Sequence, residues 1–111
     1  MNPSLKAMIN AKFIYREEEL EEILVTGHAN YKKHGEDIVC AAVSAATLVT
    51  ANAIEHLRLS HKIDLVVNDG YFKLAQKELD STVQGLMENL RYTLIDLEKQ
   101  YPKYIKNQKE G

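Results

Sequence analysis

Apolar residues in this 111-residue chain alternate between two spacings, and that alternation restricts the fold more than any other feature. Ile9, Ala11, Phe13 and Tyr15 recur at every second position among mostly polar neighbours, the pattern of a strand with one buried face. Strand-like runs over about 8–15 and 20–27, separated by the charged segment Arg16–Glu19, read as one hairpin. Runs over about 63–67 and 71–75 read as a second hairpin around Asn68-Asp69-Gly70, where Asp-Gly supplies the positive backbone angles of a tight turn. Between the hairpins, Asp37 to about Ser60 reads as a helix with Asp37 as its N-cap. Val39, Ala42, Val43, Ala46, Val49, Ala53, Ile54 and Leu57 form its expected core stripe. From about 80 to 101, Leu79, Val83, Leu86, Leu90, Leu94, Leu97 and Tyr101 step by three or four. Asp80 or Ser81 can cap this second helix, and Pro102 stops it.

The order hairpin, helix, hairpin, helix predicts a single α+β domain, a four-stranded sheet covered by two helices. Strand order is not encoded in this pattern. Residues 1–7 read as a disordered leader, 8–106 as the domain and 107–111 as a frayed tail.

Charge and cysteine content narrow the function. Lys plus Arg number 14 against 16 Asp plus Glu, a formal charge of -2, so no direct nucleic-acid binding is expected. The apolar run Ile38–Val49 has 12 residues, interrupted by Ser44 and Thr47, against the roughly 20 that a membrane span needs. The N-terminus carries a single Lys6 and no apolar segment before Lys12, which gives no secretory signal and points to the cytoplasm, with no membrane partner. Cys40 is the only cysteine, which excludes an intramolecular disulfide and a multi-thiolate metal site.

A lone cysteine is either core filler or a reactive thiol. On the first helix Cys40 falls roughly 120° from the middle of the core stripe, on a face shared with Ser44 and Thr47. With Asp37 as cap it is the third helical residue, where unpaired amides favour a thiolate. Asp37 is either that cap or the orienter of an imidazole, although its charge opposes a thiolate close by. His28 follows the second strand in Gly27-His28-Ala29 and is the natural proton acceptor, since a Cys–His pair is the minimum for thiol-based acyl transfer. Gly27 would let a substrate backbone approach closely. His34 is a competing partner in the loop, while His56 and His61 read as surface residues. A zinc site of His28, His34 and Cys40 matches no ligand spacing, so no metal is expected. The loop with Tyr31, Lys32, Lys33, His34 and Gly35 joins the two candidate residues and reads either as a lid over substrate or as an ordinary polar connection.

Gly27-His28-Ala29 followed by Gly35-Glu36-Asp37-Ile38-Val39-Cys40-Ala41-Ala42-Val43-Ser44 resembles the ribosomal-processing cysteine proteases of Firmicutes and their relatives, the Prp family. Their pattern is G-H-A, a short loop, G-x-D-[IV]-[VI]-C-A and a serine four residues after the cysteine. The resemblance covers nearly the whole chain from Met8 to about Lys106. It implies a bacterial, cytoplasmic, homodimeric cysteine endopeptidase that needs no cofactor. It implies that Cys40 is the nucleophile and His28 the general base, with Asp37, Ser44 and Gly27 supporting them. The implied substrate is a ribosomal protein precursor, which loses an N-terminal extension by cleavage next to aromatic residues, and the loop is expected to order over it. This loop departs from the family in carrying Lys32-Lys33 with Gly35 as its one glycine. The alternative is a non-catalytic, ribosome-associated dimeric module. In it Cys40 is structural, and Ala41, Ala42, Ala45 and Ala46 allow close helix packing.

Overall fold

The structure is a computed structural model that describes residues 8–27 and 34–111, with the side chains of 34–37 outside the description. The expected leader over 1–7 therefore lies outside the described residues. The elements run β1 (Ile9–Arg16), β2 (Glu19–Thr26), α1 (His34–His56), a short 3-10 turn (Ser60–Lys62), β3 (Ile63–Asn68), β4 (Tyr71–Gln76), α2 (Ser81–Gln100) and β5 (Ile105–Glu110). The hairpin–helix–hairpin–helix order and the α+β class follow the sequence, with a fifth strand added.

That fifth strand corrects the expectation of four strands and a frayed tail. The sheet order is β3-β4-β2-β1-β5, and β5 lies parallel to β1 from Ile9↔Ile105 to Ile14↔Glu110. Beyond Pro102 the chain reverses, with the Tyr104 amide donating to the Tyr101 carbonyl and the Ile9 amide to the Tyr104 carbonyl at 2.8 Å. Ile105 is fully buried, and the Asn107 side-chain amide donates to the Leu94 carbonyl and to Glu98 Oε1 at 3.0 and 2.9 Å. An edge strand is half solvated, so Lys106, Gln108, Lys109 and Glu110 satisfy it without any apolar alternation.

One face of the sheet carries the core. Ile9, Ala11, Phe13 and Tyr15 of β1, Leu20, Ile23 and Val25 of β2, and Phe72 and Leu74 of β4 are all buried there. α2 packs on this face through Val83, Met87, Leu90 and Leu94, while Leu79 precedes the helix and is exposed. Asp80 is its cap: the carboxylate accepts from the Thr82 and Val83 amides and from Lys62 Nζ at 2.8 Å. That lysine, with the Val83 amide, holds the Asp80 carboxyl below its usual value. The Tyr15 hydroxyl donates to Glu88 and accepts from Arg91, and burial together with Glu88 raises its pKa.

α1 differs from expectation in start and in face. It begins at His34, three residues before Asp37, so Asp37 is the fourth helical residue and not the N-cap. No proline stands between Gly27 and Asp37 to prevent the earlier start. The buried stripe is Val39, Val43, Thr47, Thr50 and Ile54, whereas Val49 and Leu57 are 66% and 52% exposed. The two threonines are accommodated because their hydroxyls donate to the Ser44 and Ala46 carbonyls. The apolar character also runs further than Ile38–Val49. Ile38–His56 forms 19 residues of mean hydropathy 1.6, long and apolar enough by length and composition to cross a membrane. Here its inner side packs on the sheet, as a helix of a globular core does.

If β5 is part of the core, Ile105→Ala should cost about 2–5 kcal/mol, measured by urea denaturation. A frayed tail would give no measurable change.

Candidate active site

Cys40 is half-buried at the edge of the core. It opens into a groove of about 310 Å³ between α1 and the tip of the second hairpin. The α1 wall is Cys40, Ser44, Thr47, Leu48 and Ala51, residues that share one side of the helix. The floor is Val25, Val43 and Phe72, and the opposite wall is Val67 through Tyr71. The lining is largely apolar, with polar groups concentrated beside the thiol and at the Asn68-Asp69-Gly70 turn. A pocket of this size and character is typical of sites for a side chain or small ligand.

The same geometry separates what the sequence predicted from what the structure brings together. Cys40 and Ser44 share the groove as expected, and Cys40 is off the buried stripe. Thr47 belongs to both, being buried while it lines the groove. His56, the last residue of α1, and His61 are exposed, as read from the sequence. His28, Tyr31, Lys32 and Lys33 lie outside the described residues, and the side chains of His34 and Asp37 lie outside the description. Gly35 is helical in backbone rather than part of a loop. Among the described residues there is no group of three or more His, Cys, Asp or Glu able to hold a metal.

Gly27 links the groove to the segment that carries His28. Its amide donates to the Gly70 carbonyl at 3.0 Å, and Gly70 lines the groove. The chain therefore departs toward residue 28 from the groove's rim. The glycine itself is needed by the fold, not only by an approaching substrate. Its φ is +97°, and a Cβ at this position would stand 2.5 Å from the Met8 carbonyl oxygen.

The start of α1 also changes the electrostatics. With His34 first, Cys40 is the seventh helical residue, one turn beyond the free amides of residues 34–37. The field of a helix end falls off within its first turn, so it acts on this position less than on the expected third one. Helical Cα–Cβ bonds tilt toward the N-terminus, which still inclines the thiol toward that first turn.

Sequence reasoning missed the far wall. Val67, Asn68, Asp69, Gly70 and Tyr71 read only as a turn and the strand ends beside it, and they line the groove opposite Cys40 because β4 pairs with β2, a non-local choice that periodicity does not encode. The Asp-Gly signal located the turn but not its neighbour.

Comparison with known proteins agrees over the whole domain. Residues 8–106 match the family described as cysteine protease Prp. The ribosomal processing cysteine protease Prp of Bacillus subtilis is 32% identical over 83 residues, 69% of this chain and 74% of that protein. A crystal structure from Streptococcus mutans is 32% identical, with a TM-score of 0.79 over 94% of this chain and 95% of that one. The ribosomal processing protease Prp of Staphylococcus aureus in complex with a substrate peptide is 26% identical. Its TM-score is 0.82, over 93% of this chain and 100% of that one. A second structure of the Staphylococcus aureus protease holds a covalently linked product peptide, at 27% identity and a TM-score of 0.78, over 93% of this chain and 100% of that one.

Gly27→Ala should destabilise the protein by about 1–3 kcal/mol through strain at a positive φ, seen as a lower midpoint in thermal unfolding. An unchanged midpoint would contradict the close approach of Met8.

Proposed function

Because this chain belongs to the cysteine protease Prp family and is a cysteine-type peptidase, we propose that Cys40 is its nucleophile and His28 its general base. The observation that carries this reading is a half-buried thiol opening into an apolar groove whose rim is bonded to Gly27, the residue before His28. Asp37 and Ser44 are supporting residues. Tyr31, Lys32, Lys33, His34 and Gly35 border the substrate.

In the proposed course His28 accepts the proton of Cys40 Sγ, and the sulfur attacks the carbonyl carbon of the scissile amide. Main-chain amides in the first turn of α1 are candidate donors for the resulting oxyanion. The C–N bond then breaks as His28 returns its proton to the leaving amine, which leaves a thioester on Cys40. Water adds to that thioester with His28 taking its proton, the C–S bond breaks, and the sulfur regains a proton. The covalently linked product peptide in the Staphylococcus aureus relative is in keeping with this course. No cofactor is needed at any step.

We assign the substrate as a large-subunit ribosomal protein precursor that loses its N-terminal extension, in the bacterial cytoplasm. Relatives named as ribosomal processing proteases support that assignment. We also propose a homodimer. Ile38 and Val49 are exposed on the outer side of α1, alongside the small residues Ala41 and Ala45 that permit close helix approach. The reading of Cys40 as a structural residue of a binding module predicts instead that Cys40→Ala leaves function intact.

Iodoacetamide alkylation at pH 7, followed by intact mass, tests the pair. His28→Ala should slow modification of Cys40 by roughly a hundredfold, the lower end of the range for loss of a general base, while leaving the fold unchanged by circular dichroism. Equal rates in the two proteins would remove His28 from its role.

A further inference from the structure

The two borders of the sheet are built differently. At one border β5 carries Lys106, Lys109 and Glu110, the kind of charges that ordinarily stop an edge from templating another strand. At the other, β3 reads Ile-Asp-Leu-Val-Val-Asn, with Asp64 as its one charge and no proline. Leu65, Val66 and Val67 are 41%, 42% and 61% exposed. Among the described residues no strand pairs with the outer side of β3. An edge so apolar and so unprotected is a template for a further strand.

The sequence of β3 selects which strand. Asn68↔Tyr71 closes a two-residue turn, so Asn68, Val66 and Asp64 exchange main-chain bonds with β4. The amides and carbonyls of Leu65 and Val67 therefore point outward. Leu65 and Val67 share the helix side of the sheet with buried Ile63, while Asp64, Val66 and Asn68 share the open side. An antiparallel neighbour must oppose outward-bonding residues to outward-bonding residues. For a second copy of β3, this confines a two-fold axis in the apolar run to Leu65, Val66 or Val67. An axis at Leu65 sets Asp64 against Val66, and an axis at Val67 sets Asn68 against Val66. The axis at Val66 sets Leu65 against Val67, Asp64 against Asn68 and Val66 against itself. Of the three registers it alone matches apolar with apolar and carboxylate with amide.

We propose that β3 pairs antiparallel with β3 of a second copy across a two-fold axis at Val66, joining the two sheets edge to edge. Leu65 of each copy exchanges both main-chain bonds with Val67 of the other, and the helices of both copies lie on the same side of the joined sheet. The occupant is a second copy because the strand is complementary to itself in this register, and isologous pairing uses up both edges and closes. Leu65 of the second copy then stands about 5 Å from Val67, which lines the groove at Cys40. Each copy thus adds an apolar side chain to the rim of the other's groove. The homodimer contact placed on α1 is separate, since α1 packs over a face of the sheet and β3 is its border.

Engineered thiols test the register. Cys40→Ala removes the one native thiol. In that background Val66→Cys, Asp64→Cys and Asn68→Cys are oxidised with copper phenanthroline and read on a non-reducing gel. Val66 meets its own mate at about 4.5 Å between Cα atoms, within disulfide range, so Val66→Cys should form a linked dimer. Asp64 lies about 14 Å along the strand from its own mate, so Asp64→Cys alone should link at least about tenfold more slowly. Mixed with Asn68→Cys, its opposite number, it should link as readily as Val66→Cys. In the chain with Cys40 intact, Val66→Lys sets two like charges face to face and should weaken self-association by roughly tenfold or more. Sedimentation equilibrium reads this as a loss of mass, with circular dichroism unchanged.

If the α1 contact fails, Val66→Lys leaves a monomer of 12.6 kDa, and if that contact stands it leaves a dimer, while the cross-links are the same in both cases. Equal linking of Val66→Cys and Asp64→Cys, or a mass that Val66→Lys does not lower, would overturn the pairing. A monomeric wild type whose Leu65 and Val67 amides shift in 15N spectra only when a peptide is added would also overturn it, and would assign the edge to that peptide.

Discussion

Pairing of β2 with β4 carries the end of the first hairpin past the tip of the second, where the Gly27 amide meets the Gly70 carbonyl at 3.0 Å. This junction determines where the groove at Cys40 forms. It brings the Asn68-Asp69-Gly70 turn opposite the N-terminal half of α1 and leaves β3 at the edge of the sheet. Cys40 then faces a groove with a floor made by the central strands and a wall made by the second hairpin. Without that strand order, the thiol would be a small residue on a solvated helix.

The position of Cys40 on α1 reconciles two demands. Val39 and Val43 anchor the helix in the core, so the thiol one step away is held against the sheet without being enclosed. Its placement in the second turn sets it beyond the first-turn amides, where the field of the helix end is weaker. Ser44, Thr47 and Ala51 beside it are small or β-branched and leave the groove open where larger residues would fill it.

The sequence made the paired strands, both helices and the Asp80 cap legible, because alternation, capping and turn chemistry are local signals. β5 escaped because an edge strand with a single buried apolar residue, Ile105, has no period to detect. The face of α1 was only partly readable. Apolar and small residues surround much of the helix, so Val49 and Thr47 exchange roles once tertiary packing decides which hydroxyls are satisfied internally. Cys40 stood out through its offset from that stripe and through the Gly27-His28-Ala29 and Asp37 motifs around it. The hairpin wall did not, since its proximity depends on strand order alone.

The central claim is that peptide cleavage passes through a covalent bond to Cys40. Acid-quenching the protein during turnover of a cleaved peptide, followed by proteolytic digestion and mass spectrometry, tests it most directly. The account predicts an adduct with the mass of the peptide's N-terminal fragment, less one water, confined to Cys40 and absent from Cys40→Ala. Cleavage that persists in Cys40→Ala, or an adduct on another residue, would contradict it.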